Sequence, residues 1–355
     1  MKNKKFFVVA SFVILAYGTF ERTEFVFAET DLTAEQKAQK RQEFNASVAQ
    51  QAAQATPAPA LQKPWTLSIS NNYGHDSNVT FDSKRKRDVF HQETIMGSVQ
   101  YNHPSLNHLL GAGKFGVQGG FDYLNYSKQN ESDYRNSKIS PFVTFDLTKT
   151  LSLKSEYTFK NSSYRNDDHI TYGSHELKVS LAEARIPMWL HKLYGSTAYN
   201  SYPHRKQLSA SNTDLDGQRT DRHHEMGYDF TFFPSDKFVM GANAAYQLND
   251  SNDLFQDTND YVGCKTTGYI YLVLNDRMSW VGAAGYDFKD YGHKLLPTRL
   301  GTERDEFVYV ANYLYFNLSS RTQFIVSYLF DQNYSNDPVL DFTGHIITAG
   351  VTVKI

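Results

Sequence analysis

The chain has 355 residues, 40% of them hydrophobic and 15% aromatic, with a formal net charge of -2 and a single cysteine, Cys264. A mean hydropathy of -0.53, with no long apolar run after the first thirty residues, excludes a helical membrane protein. The near-neutral charge excludes the polybasic surface that nucleic-acid binding uses, and one cysteine cannot form an internal disulfide.

Lys2, Lys4 and Lys5 precede an apolar run from Phe6 to Tyr17, and small residues close the segment at Ala28. That pattern predicts a secretory signal peptide over 1–28, too short in its apolar part to span a bilayer as a helix. Residues 29–64 form a periplasmic segment, helical or disordered. Thr33 and Gln36 have capping-box spacing, and Pro57, Pro59 and Pro64 punctuate a linker that cannot continue a helix.

From Trp65 the periodicity changes to two. Trp65, Leu67 and Ile69 alternate with Thr66, Ser68 and Ser70, which puts the apolar residues on one face of a strand. The pattern recurs to the last residue, where Ile347, Ala349, Val351, Val353 and Ile355 alternate with polar or small residues. Strands are predicted at 65–74, 90–102, 114–126, 135–147, 151–163, 169–184, 191–203, 219–233, 236–250, 261–275, 278–292, 304–319, 322–334 and 344–355. Short turns alternate with long polar connections, apart from a long 102–113 link where a short turn is expected. The predicted fold over 65–355 is therefore all-β: a closed antiparallel up-and-down transmembrane barrel of about fourteen strands, located in the cell outer membrane.

Such a barrel turns apolar residues to lipid and polar residues to the lumen. Register then nominates Gln118, Asp122, Lys154, Glu156, Glu176, Lys178, Glu225, Asp229, Asn243, Gln247, Lys265, Asp287 and Lys289 as pore-lining, with both charge signs interleaved. Trp65, Tyr73, Tyr101, Tyr123, Tyr157, Phe232, Trp280 and Tyr286 are candidates for interfacial girdles. Fourteen strands enclose a narrow aqueous pore, wider than eight and narrower than sixteen.

Other motifs carry less. Lys84 to Arg87 form a basic loop run suited to lipopolysaccharide or to drawing anions to the mouth. Asn212, Asp214 and Asp216 match the first half of a calcium loop, but His223 stands where the bidentate acid is needed and no helices flank it. Asp250, Asp253, Asp257 and Asp260 form a similar acidic loop. His223 and His224 are adjacent on a strand and point to opposite faces. His175, Glu176 and His204 are residue types that a rim-mounted hydrolase uses, yet no nucleophile elbow, zinc helix or paired-carboxylate motif accompanies them. No cofactor and no catalytic residue is expected.

Tyr73, Gly74, His75, Asp76, Ser77, Asn78 and Val79 resemble the Y-x-x-D-S-N-V opening of a family of bacterial outer-membrane β-barrel porins, and of the barrel half of surface lipoprotein assembly modifiers. Arg304 to Phe307, Tyr334 to Asn336 and the closing strand from His345 to Ile355 are similar to the end of the same barrel type. The resemblance implies that 345–355 is the signal read by the barrel-insertion machinery, with Ile355 where a terminal Phe is usual. Assembly modifiers carry a tetratricopeptide-repeat domain before the barrel, and the short segment here cannot hold one. The expected function is a channel for small polar solutes. The alternatives are an accessory barrel for surface protein or polysaccharide export and assembly, and a structural or adhesive barrel.

Overall fold

The computed structural model describes residues 65–79, 86–103, 112–129, 132–165, 171–185, 188–209, 213–253, 259–295, 302–337 and 340–355. The strands are β1 (Trp65–Asp76), β2 (Asp88–His103), β3 (Ala112–Tyr126), β4 (Tyr134–Asp146), β5 (Leu151–Tyr164), β6 (Tyr172–Glu183) and β7 (Trp189–Leu208). They continue as β8 (Asp214–Ser235), β9 (Phe238–Ser251), β10 (Tyr261–Asn275), β11 (Met278–Leu295), β12 (Thr302–Asn317), β13 (Thr322–Ser335) and β14 (Phe342–Lys354). Each pairs antiparallel with its sequence neighbours, and β1 closes on β14, from Ser68↔Lys354 to Asp76↔Ile346. The fourteen-stranded barrel expected from the alternation is the fold observed.

Sequence explains the strands through their two faces. Exposed large apolar residues such as Ile69, Val99, Phe121, Leu177, Tyr246, Ile270 and Val351 occupy alternate positions, while their immediate neighbours are polar, small or buried. A continuous apolar band of that size is not tolerated in water, so this is the lipid face. All eight predicted girdle aromatics lie on it by alternation. Several outward histidines pair with tyrosines there. Tyr157 Oη and His175 Nδ1 share a hydrogen bond at 2.6 Å, and Tyr328 Oη and His345 Nδ1 one at 2.9 Å. Such residues combine an apolar ring with a polar tip and suit the membrane boundary. Among the described residues no helix is long and apolar enough to cross a membrane.

Side chains set the short turns. Thr148 Oγ1 accepts from the amides of Thr150 and Leu151, Asn275 Oδ1 from Arg277, and Ser319 Oγ from Arg321 and Thr322. These are the local hydrogen bonds that make Ser, Thr and Asn turn residues.

One expectation is corrected. Most of 204–218, predicted as loop, is strand, because β7 runs to Leu208 and β8 begins at Asp214. Register shifts between Tyr202 and Lys206 and between Lys206 and Leu208 let the hairpin continue where the apolar alternation has ended. A strand beyond the lipid band needs no apolar face, so periodicity does not reveal it. Asp214 and Asp216 consequently sit on β8 rather than in a cation-binding loop, and Asp214 lies 3.7 Å from Lys206. Asn212, Asp257, Lys84, Arg85 and most of the 102–113 connection lie outside the described residues.

The buried carboxylate of Asp133 holds the start of β4, accepting the Tyr126 amide at 2.6 Å, with the Arg165 guanidinium 3.6 Å away. Burial pushes its pKa up to about 6, against the pull of Arg165. A carboxyl with a raised folded-state pKa contributes stability that is fully present below its unfolded value and lost as pH rises through the folded one. Amide exchange at Tyr126 is therefore expected to quicken several-fold between about pH 4 and pH 7 beyond the intrinsic base-catalysed rise. Asp133→Asn should flatten that excess; an unchanged slope in the variant would assign it elsewhere.

Candidate lumen site

The inward face is the polar member of each alternation, and all thirteen nominated residues stand on it: Gln118 and Asp122 on β3, Lys154 and Glu156 on β5, Glu176 and Lys178 on β6, Glu225 and Asp229 on β8, Asn243 and Gln247 on β9, Lys265 on β10, Asp287 and Lys289 on β11. Register joins many of them around the wall, through Glu156↔Lys178, Glu225↔Gln247 and Asp229↔Asn243.

Glu225 is the hub. Lys265 Nζ lies 2.5 Å from its Oε2, Tyr194 Oη donates to Oε1 at 2.7 Å, and Gln247 Nε2 donates to Oε2 at 3.4 Å. Lys178 Nζ sits 4.0 Å from the centre of the Tyr194 ring, a cation–π contact. Two inward positions further along β8, Asp229 pairs with Lys192 and accepts from Asn243, whose amide also donates to Tyr194 Oη at 3.2 Å. Six of the thirteen thus converge on one patch spanning β6 to β10.

The others form smaller groups. Glu156 pairs with Lys154 and accepts from Gln118 Nε2 at 3.1 Å, with Lys154 Nζ 4.5 Å from the Phe142 ring centre. Asp122 accepts from Gln92 Nε2 at 2.9 Å and Thr94 Oγ1 at 2.7 Å. Glu176 lies opposite Thr158. Asp287 on β11 lies opposite Lys265 of β10 and 3.9 Å from Lys289, whose Nζ is 4.9 Å from the centre of the Tyr261 ring.

Lys192 and Tyr194 are absent from the sequence nominations. Lys192 follows the inward period of β7 and was recoverable from it. Tyr194 was not, since the rule that apolar residues face lipid sends a tyrosine outward. The same rule misses the inward aromatics of the next strands, Tyr269 and Tyr271 on β10 and Phe307, Tyr309, Tyr313 and Tyr315 on β12, which pack with Val239, Val281, Ala283 and Ala311.

Glu225 and Asp229 are each held by a lysine and a side-chain amide. His175 and Glu176 are sequence neighbours on opposite faces, so they do not form a catalytic pair. His223 faces inward beside Tyr261 and His224 outward. Among the described residues no three metal-binding side chains gather.

No family model matches the chain, and no curated protein matches it. Solved structures align with most of its length at low identity and TM-scores below 0.5. The outer membrane channel DcaP of Acinetobacter baumannii is 10% identical, aligned over 82% of this chain and 96% of that one at a TM-score of 0.48. A FadL homologue of Pseudomonas aeruginosa is 8% identical over 82% and 90% at 0.46, and an outer membrane channel of Pseudomonas putida F1 is 8% identical over 84% and 100% at 0.45.

Proposed function

We propose that the chain is an outer-membrane channel for small polar solutes, exported by residues 1–28, inserted through the closing strand 345–355, and lined by the nominated inward residues. The observation that carries this reading is the division of one closed sheet into an apolar outer band and an inner ladder of paired charges. Lipid favours the first surface and water the second. Fourteen strands leave room beyond what inward side chains fill, which supports passage. Outer-membrane lipid and lipopolysaccharide are its surroundings in this reading.

Conductance in planar bilayers tests it. Discrete ion-permeable openings are expected from the purified full chain, and their absence at all voltages would remove the channel reading. Neutralising Glu225 adds a sharper expectation. Glu225→Gln leaves the neighbouring Lys265 and Lys178 charges in excess, so the reversal potential in a salt gradient should shift toward anions. A shift toward cations would contradict the placement of Glu225 on the permeation path.

A further inference from the structure

We propose that the lipid face carries a slot for one acyl chain of lipopolysaccharide, with a lipid phosphate held at its outer end by Arg87 and Lys128. The slot crosses the seam where β14 meets β1. It rests on the outer-membrane placement of the barrel and not on whether the lumen conducts.

Register builds the slot. One bank is the outward row Val326, Ala349, Tyr73, His91 and Asn125, which are cross-strand neighbours in turn on β13, β14, β1, β2 and β3. The other bank is the next outward row, Ile347, His75 and Val89. The backbone of Thr348, Gly74 and Phe90 runs between them as a floor, and the furrow has a volume of about 680 Å³. Ala349 is small and keeps the inner end open. Tyr73 stacks on His91 with ring centroids 4.7 Å apart, so the two rings form one side of the furrow together.

Four inter-strand steps of about 4.8 Å give a length of roughly 19 Å. The furrow slants, because strands of such barrels tilt by about 35–45°. Val326 lies near the short turn before β13, whereas Asn125 is next to the last residue of β3, at a long outer connection. The hydrocarbon of one leaflet is about 15 Å deep, so the furrow leads a single chain from the apolar band to the outer rim. Bulk lipid covers the apolar band without any furrow. Two banks add dispersion contacts on both sides of a chain, which is what separates a held lipid from a passing one.

The outer end supplies headgroup chemistry. Arg87 is exposed just before β2, and Lys128 is exposed just after β3. Buried Asp88 ties their two segments together, accepting the Val89 amide at 2.8 Å, the Lys128 amide at 2.7 Å and the Ser127 hydroxyl. Glu93 lies 3.7 Å from His91 and disfavours an anion further down, which leaves the rim for the phosphate. Asn125 and Ser127 stand beside the cations and can hydrogen-bond hydroxyls. Lipopolysaccharide presents that combination, a phosphate adjoining sugar hydroxyls above acyl chains.

Native mass spectrometry of the full chain in detergent, with bisphosphorylated lipid A added, tests the slot. One lipid A should stay bound per chain. Ala349→Phe, which fills the furrow from the outward face, should weaken retention about tenfold. Arg87→Ala with Lys128→Ala should weaken it by a similar factor and remove its salt dependence. Leu248→Phe, outward on β9 and away from the seam, should leave it unchanged. Heat-modifiable migration on gels checks that each variant is folded, and if Ala349→Phe is not, the rim variant decides: weaker retention upholds the slot and equal retention overturns it. No retained lipid A, or retention that neither variant changes, would overturn the inference. Phosphatidylglycerol held as tightly as lipid A would overturn it as well. None of these readouts uses conductance, so the channel reading stands or falls separately.

Discussion

Asp221→Ala is expected to destabilise the barrel by about 3–5 kcal/mol, the range for removing one partner of a buried ion pair. Asp221 and Arg219 are both almost fully buried on the inward face of β8. Arg219 Nε and Nη2 donate to the two carboxylate oxygens at 3.0 and 2.7 Å, and the guanidinium lies 4.5 Å from the centre of the Tyr202 ring. Ser251 Oγ donates to Asp221 Oδ1 at 2.6 Å, which ties the pair to β9. Without the carboxylate, a buried cation loses its bidentate acceptor and the serine its partner. The double replacement Arg219→Met with Asp221→Leu should recover most of the loss, because burying the pair costs solvation that its attraction only offsets. Unfolding by urea in detergent micelles, followed by tryptophan fluorescence, measures both. Equal losses in the single and double variants would show that packing at this site, rather than charge compensation, sets its stability.

That pair marks where sequence reasoning stops. Arg219 and Asp221 are two residues apart, so period two puts them on one face of a strand. What brings them under Tyr202 and beside Ser251 is register with β7 and β9, and register is a property of neighbours. The strands themselves were legible because lipid demands an apolar outer member at alternate positions wherever the chain crosses, as at Val262, Ile270 and Leu274 on β10. The demand ends at the membrane boundary, and so does the signal, which is why the outer parts of β7 and β8 read as loop. The lumen is constrained less. Water accepts charge there, but packed side chains accept aromatic rings too, so Glu225 and Lys265 were readable as inward while Tyr194, Tyr309 and Tyr313 were not. The motif from Tyr73 to Val79 was legible as a resemblance, yet its physical task emerges only with β14 alongside it.

That task makes Asp76→Ala the other substitution with a large expected effect. Asp76 ends β1 opposite Ile346 of β14, at the seam where the first and last strands close the barrel. Its buried carboxylate accepts the Asn78 amide at 2.8 Å and the Tyr126 hydroxyl at 3.0 Å, so it turns the chain and reaches across β2 to β3. Asn78 then donates from Nδ2 to the Thr343 carbonyl at 3.2 Å, while the Ser77 amide donates to the His345 carbonyl at 2.9 Å and the His345 amide to Ser77 Oγ at 2.8 Å. Removing the carboxylate takes an acceptor from two buried donors, each loss costing about 1–3 kcal/mol. It also frees the turn that aims Asn78 and Ser77 at β14. The summed loss, roughly 2–6 kcal/mol, falls on the one junction that joins the ends of the chain, so closure of the barrel should weaken before its hairpins do. Heat-modifiable migration on gels should show the folded species lost at lower temperature, and amide exchange should rise at Ser77 and His345 ahead of the β10–β11 pair. Asp76→Asn, which keeps an acceptor for the Asn78 amide, should lie between wild type and alanine. Uniform loosening around the ring would mean that the motif stabilises the barrel as a whole and does not act as a clasp at its seam.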